Sequence, residues 1–167
     1  MKTEEKVILG INFQDIKKLP VNLINNLETQ SDENLLHSNK LDSKFLLNNE
    51  GLSIFCKKNL MGYILAKIAL DQADIISFII KKEFRRKKYG TILFTRFLNH
   101  LKTKGVERIF LEVSKKNIPA LKFYFCIGFE RVGYRQNYYK NINGNVDAEV
   151  LMSSIDSIIN KERSLIL

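Results

Sequence analysis

Three β-type runs follow one another from Leu52 with almost nothing between them. Leu52–Lys57, Met61–Leu70 and Ile75–Ile80 are rich in Ile, Leu and Phe, and only Lys58-Asn59 and Asp71-Gln72 mark the turns. Connections this short cannot cross over a sheet, so the runs must pair antiparallel as successive hairpins. Past Ile80 the character changes. Six of the eight residues from Lys81 to Lys88 are Lys or Arg. Tyr89, Leu93, Phe97 and Leu101 then recur at i+4, backed by Phe94 and Leu98, which is the core-facing stripe of an amphipathic helix from Tyr89 to about Lys104. Gly105 ends it. A strand that passes through a basic turn into a helix can cradle an anion, because helix-start N–H groups point at the ligand and the dipole favours negative charge there. Taken alone, the basic stretch reads equally as a solvated charge run or a nucleic-acid patch.

The rest of the chain is arranged around this block. Arg108–Val113 reads as a strand. Asn117 is an N-cap with Pro119 in the first turn of a helix over Ile118–Ile127, which Gly128 terminates. Phe129–Arg135 and Ala148–Ser153 read as strands about a turn at Asn141–Gly144, and Ile155–Leu167 as a short terminal helix. Upstream, Val7–Asn12 reads as a strand. Asp15 to about Asn26 has helical spacing interrupted by Pro20, and Leu35–Leu47 is a weaker helix. The order β-α-α-β-β-β-α-β-α-β-β predicts one mixed-sheet α/β domain spanning residues 1–167, a length that can bury a real core.

The net charge of +9 points to anionic partners such as phosphates, nucleic acid or a ribosome surface, and says nothing of fold. Cys56 and Cys126 have neither metal nor redox spacing and sit in apolar contexts, so both are expected as buried, reduced thiols. His37 and His100 stand apart in sequence, and no metal site is expected. No apolar run approaches the ~18 residues of a membrane span, and the start lacks a basic region followed by a cleavage site. The expectation is a cytoplasmic protein.

Two residues stand out chemically. Glu112 lies among Ile109, Phe110, Leu111 and Val113, where an ionised carboxylate is costly unless paired or wet. Unpaired, its pKa should drift upward toward general-base territory. On a wet sheet face or beside a lysine it is merely structural. Tyr124, among Leu121, Phe123 and Phe125, reads from the pattern alone as core.

From about Ile75 to Met152 the chain resembles the GNAT superfamily of acetyl-CoA-dependent N-acetyltransferases. Arg85-Arg86-Lys87-Lys88-Tyr89-Gly90 occupies the place of that family's Arg/Gln-x-x-Gly-x-Gly/Ala motif. The first motif glycine is Lys88 here, where the family's glycine lets backbone approach pyrophosphate closely. Leu111-Glu112-Val113, Asn117-Ile118-Pro119-Ala120, Tyr124, Gly128-Phe129 and Arg135-Gln136-Asn137-Tyr138-Tyr139, then Asp147, resemble the branch that acetylates ribosomal-protein N-termini. The resemblance implies a mostly antiparallel sheet, splayed at the coenzyme site and flanked by helices. Residues 1–50 would hold acceptor-side helices, 51–153 the core sheet and coenzyme site, and 154–167 a tail. It implies acetyl-CoA as cosubstrate, with Phe78, Ile79 and Ile80 along the pantetheine arm and backbone N–H groups of Arg86, Lys87, Lys88, Tyr89, Gly90 and Thr91 at the pyrophosphate. Asn117 would bond the coenzyme or cap its helix. Glu112 becomes the general base and Tyr124 the general acid, and Asn137, Tyr138 and Tyr139 line the acceptor slot. The implied partner is the N-terminal peptide of a ribosomal protein, near the ribosome, with no membrane and no specific nucleic acid. A small amine or a lysine side chain is the alternative acceptor. A basic ribosome- or nucleic-acid-binding module on a degenerate fold of this type is the non-enzymatic alternative. A basic acceptor should prefer an acidic groove, so Glu50, Glu112, Glu130 and Asp147 are expected to gather there.

Overall fold

The computed structural model describes residues 10–31, 41–140 and 144–166. Among them, seven strands form one sheet: β1 (Ile11–Asp15), β2 (Glu50–Cys56), β3 (Asn59–Ala69), β4 (Gln72–Ile80), β5 (Arg108–Ser114), β6 (Glu130–Tyr139) and β7 (Val146–Ser154). Their order is β1-β2-β3-β4-β5-β7-β6, antiparallel throughout except where β5 joins β4. Five α-helices accompany them: α1 (Val21–Ser31), α2 (Ser43–Leu47), α3 (Tyr89–Thr103), α4 (Ile118–Ile127) and α5 (Ile155–Ile166).

The hairpin loops fall one residue earlier than the turn residues suggest. Cys56 pairs with Asn59 and Ala69 with Gln72. Each loop begins on a left-handed residue, Lys57 (φ 54°) and Leu70 (φ 57°), which suits the right-handed twist of the flanking strands. Of the strand expected over Val7–Asn12, residues 7–9 lie outside the described residues, Gly10 is a turn, and Ile11 opens β1, with Ile11 and Phe13 packed against the core. Pro20 divides the first expected helix in two. A 3-10 turn over Ile16–Lys18 precedes it, and α1 starts at Val21 and continues past Asn26. Of the expected helix over Leu35–Leu47 only Ser43–Leu47 is described as helical, capped by the Asp42 side chain on Phe45 N–H. β6 continues past Arg135 to Tyr139. Cys56 is half-buried, and Cys126 is exposed because it falls on the outer side of α4.

The sheet carries a core on each face. On one, α3, α4 and α5 cover Ile64, Ala66, Ile75, Ile109, Leu111 and Val113, with Phe94, Phe97 and Leu98 at the centre. On the other, Ile24 and Leu27 of α1 and Leu46 of α2 pack on Phe55, Tyr63 and Leu65. α3 is pinned by charge as well. His100 and Lys104 meet Glu50, as does Lys17 from the 3-10 turn. Burial alone would raise the Glu50 carboxyl, but bonds from His100 and Lys17 and the Lys17 and Lys104 charges outweigh it and bring it down to about 2.

One irregularity shapes the centre. Ala66 pairs with Ile75 but Leu65 pairs with Ser77, so Ile76 is an extra residue on β4. A bulge of this kind bends its strand and sharpens the twist. β4 pairs with β5 only as far as Ile75 opposite Leu111, while β5 stays paired with β7 through Ser114. Beyond that point β4 and β5 part, leaving a gap in the middle of the sheet.

Candidate active site

The gap leaves one edge of β4 without a partner strand. Lys81 N–H donates to the Met61 carbonyl on β3. Backbone groups alternate direction along a strand, so those of Ile80 face the gap. The Ile80 carbonyl accepts from Arg85 Nε at 2.7 Å, which folds the basic loop back over the end of β4. The Phe84 and Tyr89 rings pack edge-on beneath this loop, at 6.2 Å. Arg86 (φ 61°) and Lys88 (φ 64°) are both left-handed, with Lys87 between them on the ordinary side. That alternation makes successive N–H groups converge, a geometry suited to an anion. Lys88 is the N-cap residue of α3 and lends no side chain to cap it.

Lys88 thus keeps the backbone conformation a glycine would take. A left-handed conformation costs an L-residue roughly 1–2 kcal/mol. Lys88→Gly is therefore expected to gain about 0.5–1 kcal/mol after the extra freedom of the unfolded glycine is counted. A thermal midpoint higher by roughly 1–4 °C checks it. Gly90 has the opposite logic. A Cβ there would lie 3.6 Å from Ile80 and from Phe78, ordinary contact. The fold does not require glycine at this point, and its absent side chain leaves the start of α3 open to close approach.

A cavity of about 600 Å³ opens from the gap, a volume in the range of cofactor sites. Phe78, Ile79, Ile80, Arg85, Arg86, Lys88, Gly90, Thr91, Asn117 and Tyr124 all line it. Lys87 and Tyr89 do not: the Lys87 ammonium turns to the Glu83 carbonyl at 2.9 Å, and Tyr89 packs on Phe84. Ser114, Lys116, Ala120 and Phe123 are also among its lining. Asn117 caps α4 by accepting from Ala120 N–H at 3.2 Å. Asn117, Ala120 and Tyr124 share one helix face at i, i+3 and i+7, a spacing visible in the sequence. The Tyr124 ring is held by Phe94, Phe123 and Phe129. Burial, followed by the nearby Tyr139, pushes its phenol well above the usual range, so Tyr124 keeps its proton.

Glu112 reaches the same gap from the other face of the sheet, opposite Val150, while its neighbours Leu111 and Val113 lie in the α3–α4 core. Its partner is an arginine. Arg135 Nε lies 2.6 Å from its carboxylate. The Tyr138 hydroxyl bonds the same carboxylate, and that bond, then burial, raises the Tyr138 phenol. The Tyr139 hydroxyl donates to the Glu112 carbonyl at 3.0 Å. β6 can wrap the residue in this way because its register with β7 breaks between Arg135 and Tyr139, with Asn137 left-handed at φ 54°. Asp147 holds the irregular segment by accepting from Asn137 N–H at 2.9 Å and from Lys115 at 3.0 Å. The structure thus brings Tyr138 and Tyr139 against Glu112 and Asn137 against Asp147, and none of the three lines the cavity.

The expected acidic gathering does not form as a group of four. Glu50 belongs to the α3 face, where Lys17, His100 and Lys104 meet it, and Glu130 lies at the far end of β6, opposite Met152. Of the four, Glu112 and Asp147 alone meet the Arg135–Tyr139 segment. A carboxylate outside that set, Glu28 of α1, shares the Glu112 face, bonded to Tyr63 and Ser77.

A strand pair splayed at a bulge, an anion-shaped loop opening a helix, a phenol in the cavity and a carboxylate on the strand that borders the gap describe an acyl-coenzyme A-dependent transferase. The acetyltransferase (GNAT) family pattern matches residues 21–129, and the chain belongs to that family. It is an N-acetyltransferase with acetyl-CoA as cosubstrate. The chain is 29% identical over 113 residues to the ribosomal protein bS18-alanine N-acetyltransferase of Haemophilus ducreyi, covering 65% of this chain and 78% of that one. Its fold is similar to the Escherichia coli ribosomal-protein-S18-alanine N-acetyltransferase (TM-score 0.74, 19% identity, 87% of this chain and 94% of that chain). It is also similar to Arabidopsis thaliana NAA60 in complex with acetyl-CoA (TM-score 0.73, 15% identity, 87% and 99%).

Proposed function

We propose that this chain, acting as one cytoplasmic catalytic domain, transfers acetyl from acetyl-CoA to the α-amine of a protein N-terminus, with a ribosomal protein as acceptor. The observation that carries this is the placement of Tyr124 in the cavity and of Glu112 on the opposite face of β5, just past the last β4–β5 pair. Base and acid then stand on either side of where a thioester would lie.

An α-amine has a pKa near 8 and is largely protonated at neutral pH. Glu112 takes the amine proton, directly or through water, once the acceptor displaces Arg135 from it. The amine nitrogen bonds the thioester carbon and the C–S bond breaks. Tyr124, still protonated, gives its proton to the departing sulfur. Ile80 N–H, facing the gap, holds the oxyanion between these events. Arg86 to Thr91 bind the pyrophosphate through main-chain N–H groups, Lys87 and Tyr89 included, and Arg85, Arg86, Lys88 and Lys116 add charge around the cavity. Phe78 to Ile80 pair with the pantetheine arm along the open edge of β4. Asn137, Tyr138 and Tyr139 form the acceptor slot. The bS18-alanine relatives support an acceptor with alanine at its N-terminus.

Competition tests the acceptor class. Supplied together with acetyl-CoA, an alanine-first peptide should be acetylated at its α-amine, while the same peptide blocked at the N-terminus but carrying lysine, and spermidine, should be left unchanged. Turnover confined to lysine or spermidine would contradict the proposal.

A further inference from the structure

Glu112 is covered in this structure by two side chains of β6. Arg135 Nε lies 2.6 Å from its carboxylate, and the Tyr138 hydroxyl bonds the same group. The Glu112 side chain is 22% exposed and that of Arg135 59%. The pair is therefore lopsided: the carboxylate is held against the sheet, while the guanidinium can turn to water. β6 is the outermost strand at its end of the sheet, and its register with β7 breaks between Arg135 and Tyr139. The Tyr138 ring lies 5.4 Å from the guanidinium carbon and offers the cation a second seat.

The register ties the covered carboxylate to the cavity. β5 pairs with β7 without interruption from Arg108 to Ser114. Glu112 and Ser114 are alternate residues of this regular strand, so they share a face about 7 Å apart. Ser114 lines the cavity, as does Val146, which pairs with Tyr139 on β6. The cavity wall thus includes the next same-face residue along β5 from Glu112.

We propose that Arg135 sets the choice of nucleophile: its guanidinium occupies Glu112 until the α-ammonium of an acceptor replaces it, and so withholds the base from water. This rests on the reading of Glu112 as the base of an α-amine acetyltransferase. An ammonium replaces a guanidinium charge for charge, so the carboxylate keeps a cationic partner throughout. Water is neutral and would leave a mostly covered carboxylate unpaired. Without the guanidinium, Glu112 would take a proton from water and the water oxygen would bond the thioester carbon. The C–S bond would break and Tyr124 would protonate the sulfur, giving acetate and coenzyme A. Suppressing such hydrolysis is a general task of a closed active site.

Release of coenzyme A from acetyl-CoA, followed as thiol with and without an alanine-first peptide, tests it. In Arg135→Gln the rate without peptide should rise roughly two- to fivefold, the scale of a partly exposed ion pair. The KM for the peptide should fall by a similar factor, because the amine no longer competes with a guanidinium. Arg135→Ala should repeat both changes and covers a poorly folded Gln variant, while Arg135→Lys keeps a cation in place and should stay nearer wild type. Unchanged or slower hydrolysis in Arg135→Gln and Arg135→Ala would overturn the proposal. So would a peptide KM that stays level or rises, the mark of an arginine that only orients the carboxylate. Adding Glu112→Gln to Arg135→Gln should abolish the extra hydrolysis; extra hydrolysis that survives would remove Glu112 as the base, and this proposal with it. A wild-type chain that acetylates no peptide would overturn the acceptor reading, and the hydrolysis arm alone then decides the role of Arg135.

Discussion

Glu112→Gln should lower the rate of peptide acetylation by about 10²–10⁴-fold at saturating acetyl-CoA, the usual contribution of a positioned acid or base. The substitution keeps shape and removes the group that accepts the amine proton. Arg135 loses its charged partner, but the bond from Tyr139 to the Glu112 carbonyl is main-chain on the Glu112 side and survives. Glu112 is not part of the cavity wall, so acetyl-CoA affinity should stay within about twofold of wild type. Tyr124→Phe should act alike from the other face. The ring remains between Phe94, Phe123 and Phe129, and only the hydroxyl that protonates sulfur is lost. Because burial holds the Tyr124 proton beyond the ordinary phenol range, the alkaline limb that a free phenol would place near pH 10 should move higher. Steady-state rates with a thiol-release readout decide both. Wild-type rates in both variants would remove Glu112 and Tyr124 from the mechanism.

Gly62→Ala should be the most disruptive single methyl in the chain's coenzyme half. Its Cβ would fall 2.3 Å from the Ile79 carbonyl and 2.6 Å from Ile80 Cδ1. Backbone cannot step aside as a side-chain end can, so β3 and the end of β4 must separate. Overpacking of this kind costs about 1–3 kcal/mol. The segment pushed out is the one proposed to pair with the pantetheine arm, so stability and coenzyme affinity should fall together. Thermal denaturation with and without acetyl-CoA reads both, since a ligand of the native state raises the midpoint. The variant should show a lower midpoint and a smaller acetyl-CoA shift. Gly133→Ala is the control: its Cβ would meet nothing nearer than Val150 at 3.9 Å. A full acetyl-CoA shift in Gly62→Ala would detach coenzyme binding from the end of β4.

The central block was legible in sequence because each signal there is local. Two-residue loops dictate hairpins, the Leu93-Phe97-Leu101 stripe dictates a helix, and Asn117 with Pro119 and Gly128 brackets another. The cavity residues on β4, on the basic loop and on α4 lie on those elements, and it is the family resemblance that singles them out. What escaped depends on contacts distant in sequence. The bulge at Ile76 has no signature in an apolar run, yet it creates the gap. The partner of Glu112 is Arg135, 23 positions downstream on another strand, which no periodicity announces. Glu50 was misplaced because a strand residue's face depends on its pairing, and β2 turns Glu50 toward His100 and Lys104. Glu28 was invisible for the same reason, since its partners Tyr63 and Ser77 come from two other strands. Lys88, at the place of the motif glycine, takes a left-handed conformation open to glycine at less cost, which a lysine in sequence does not announce.

The most direct test of acetyl transfer to a protein α-amine is mass spectrometry of N-terminal peptides from cells with and without this protein. The account predicts that at least one ribosomal-protein N-terminus carries an acetyl group only when the protein is present, and loses it in cells carrying Glu112→Gln. An identical set of acetylated N-termini with and without the protein would contradict it.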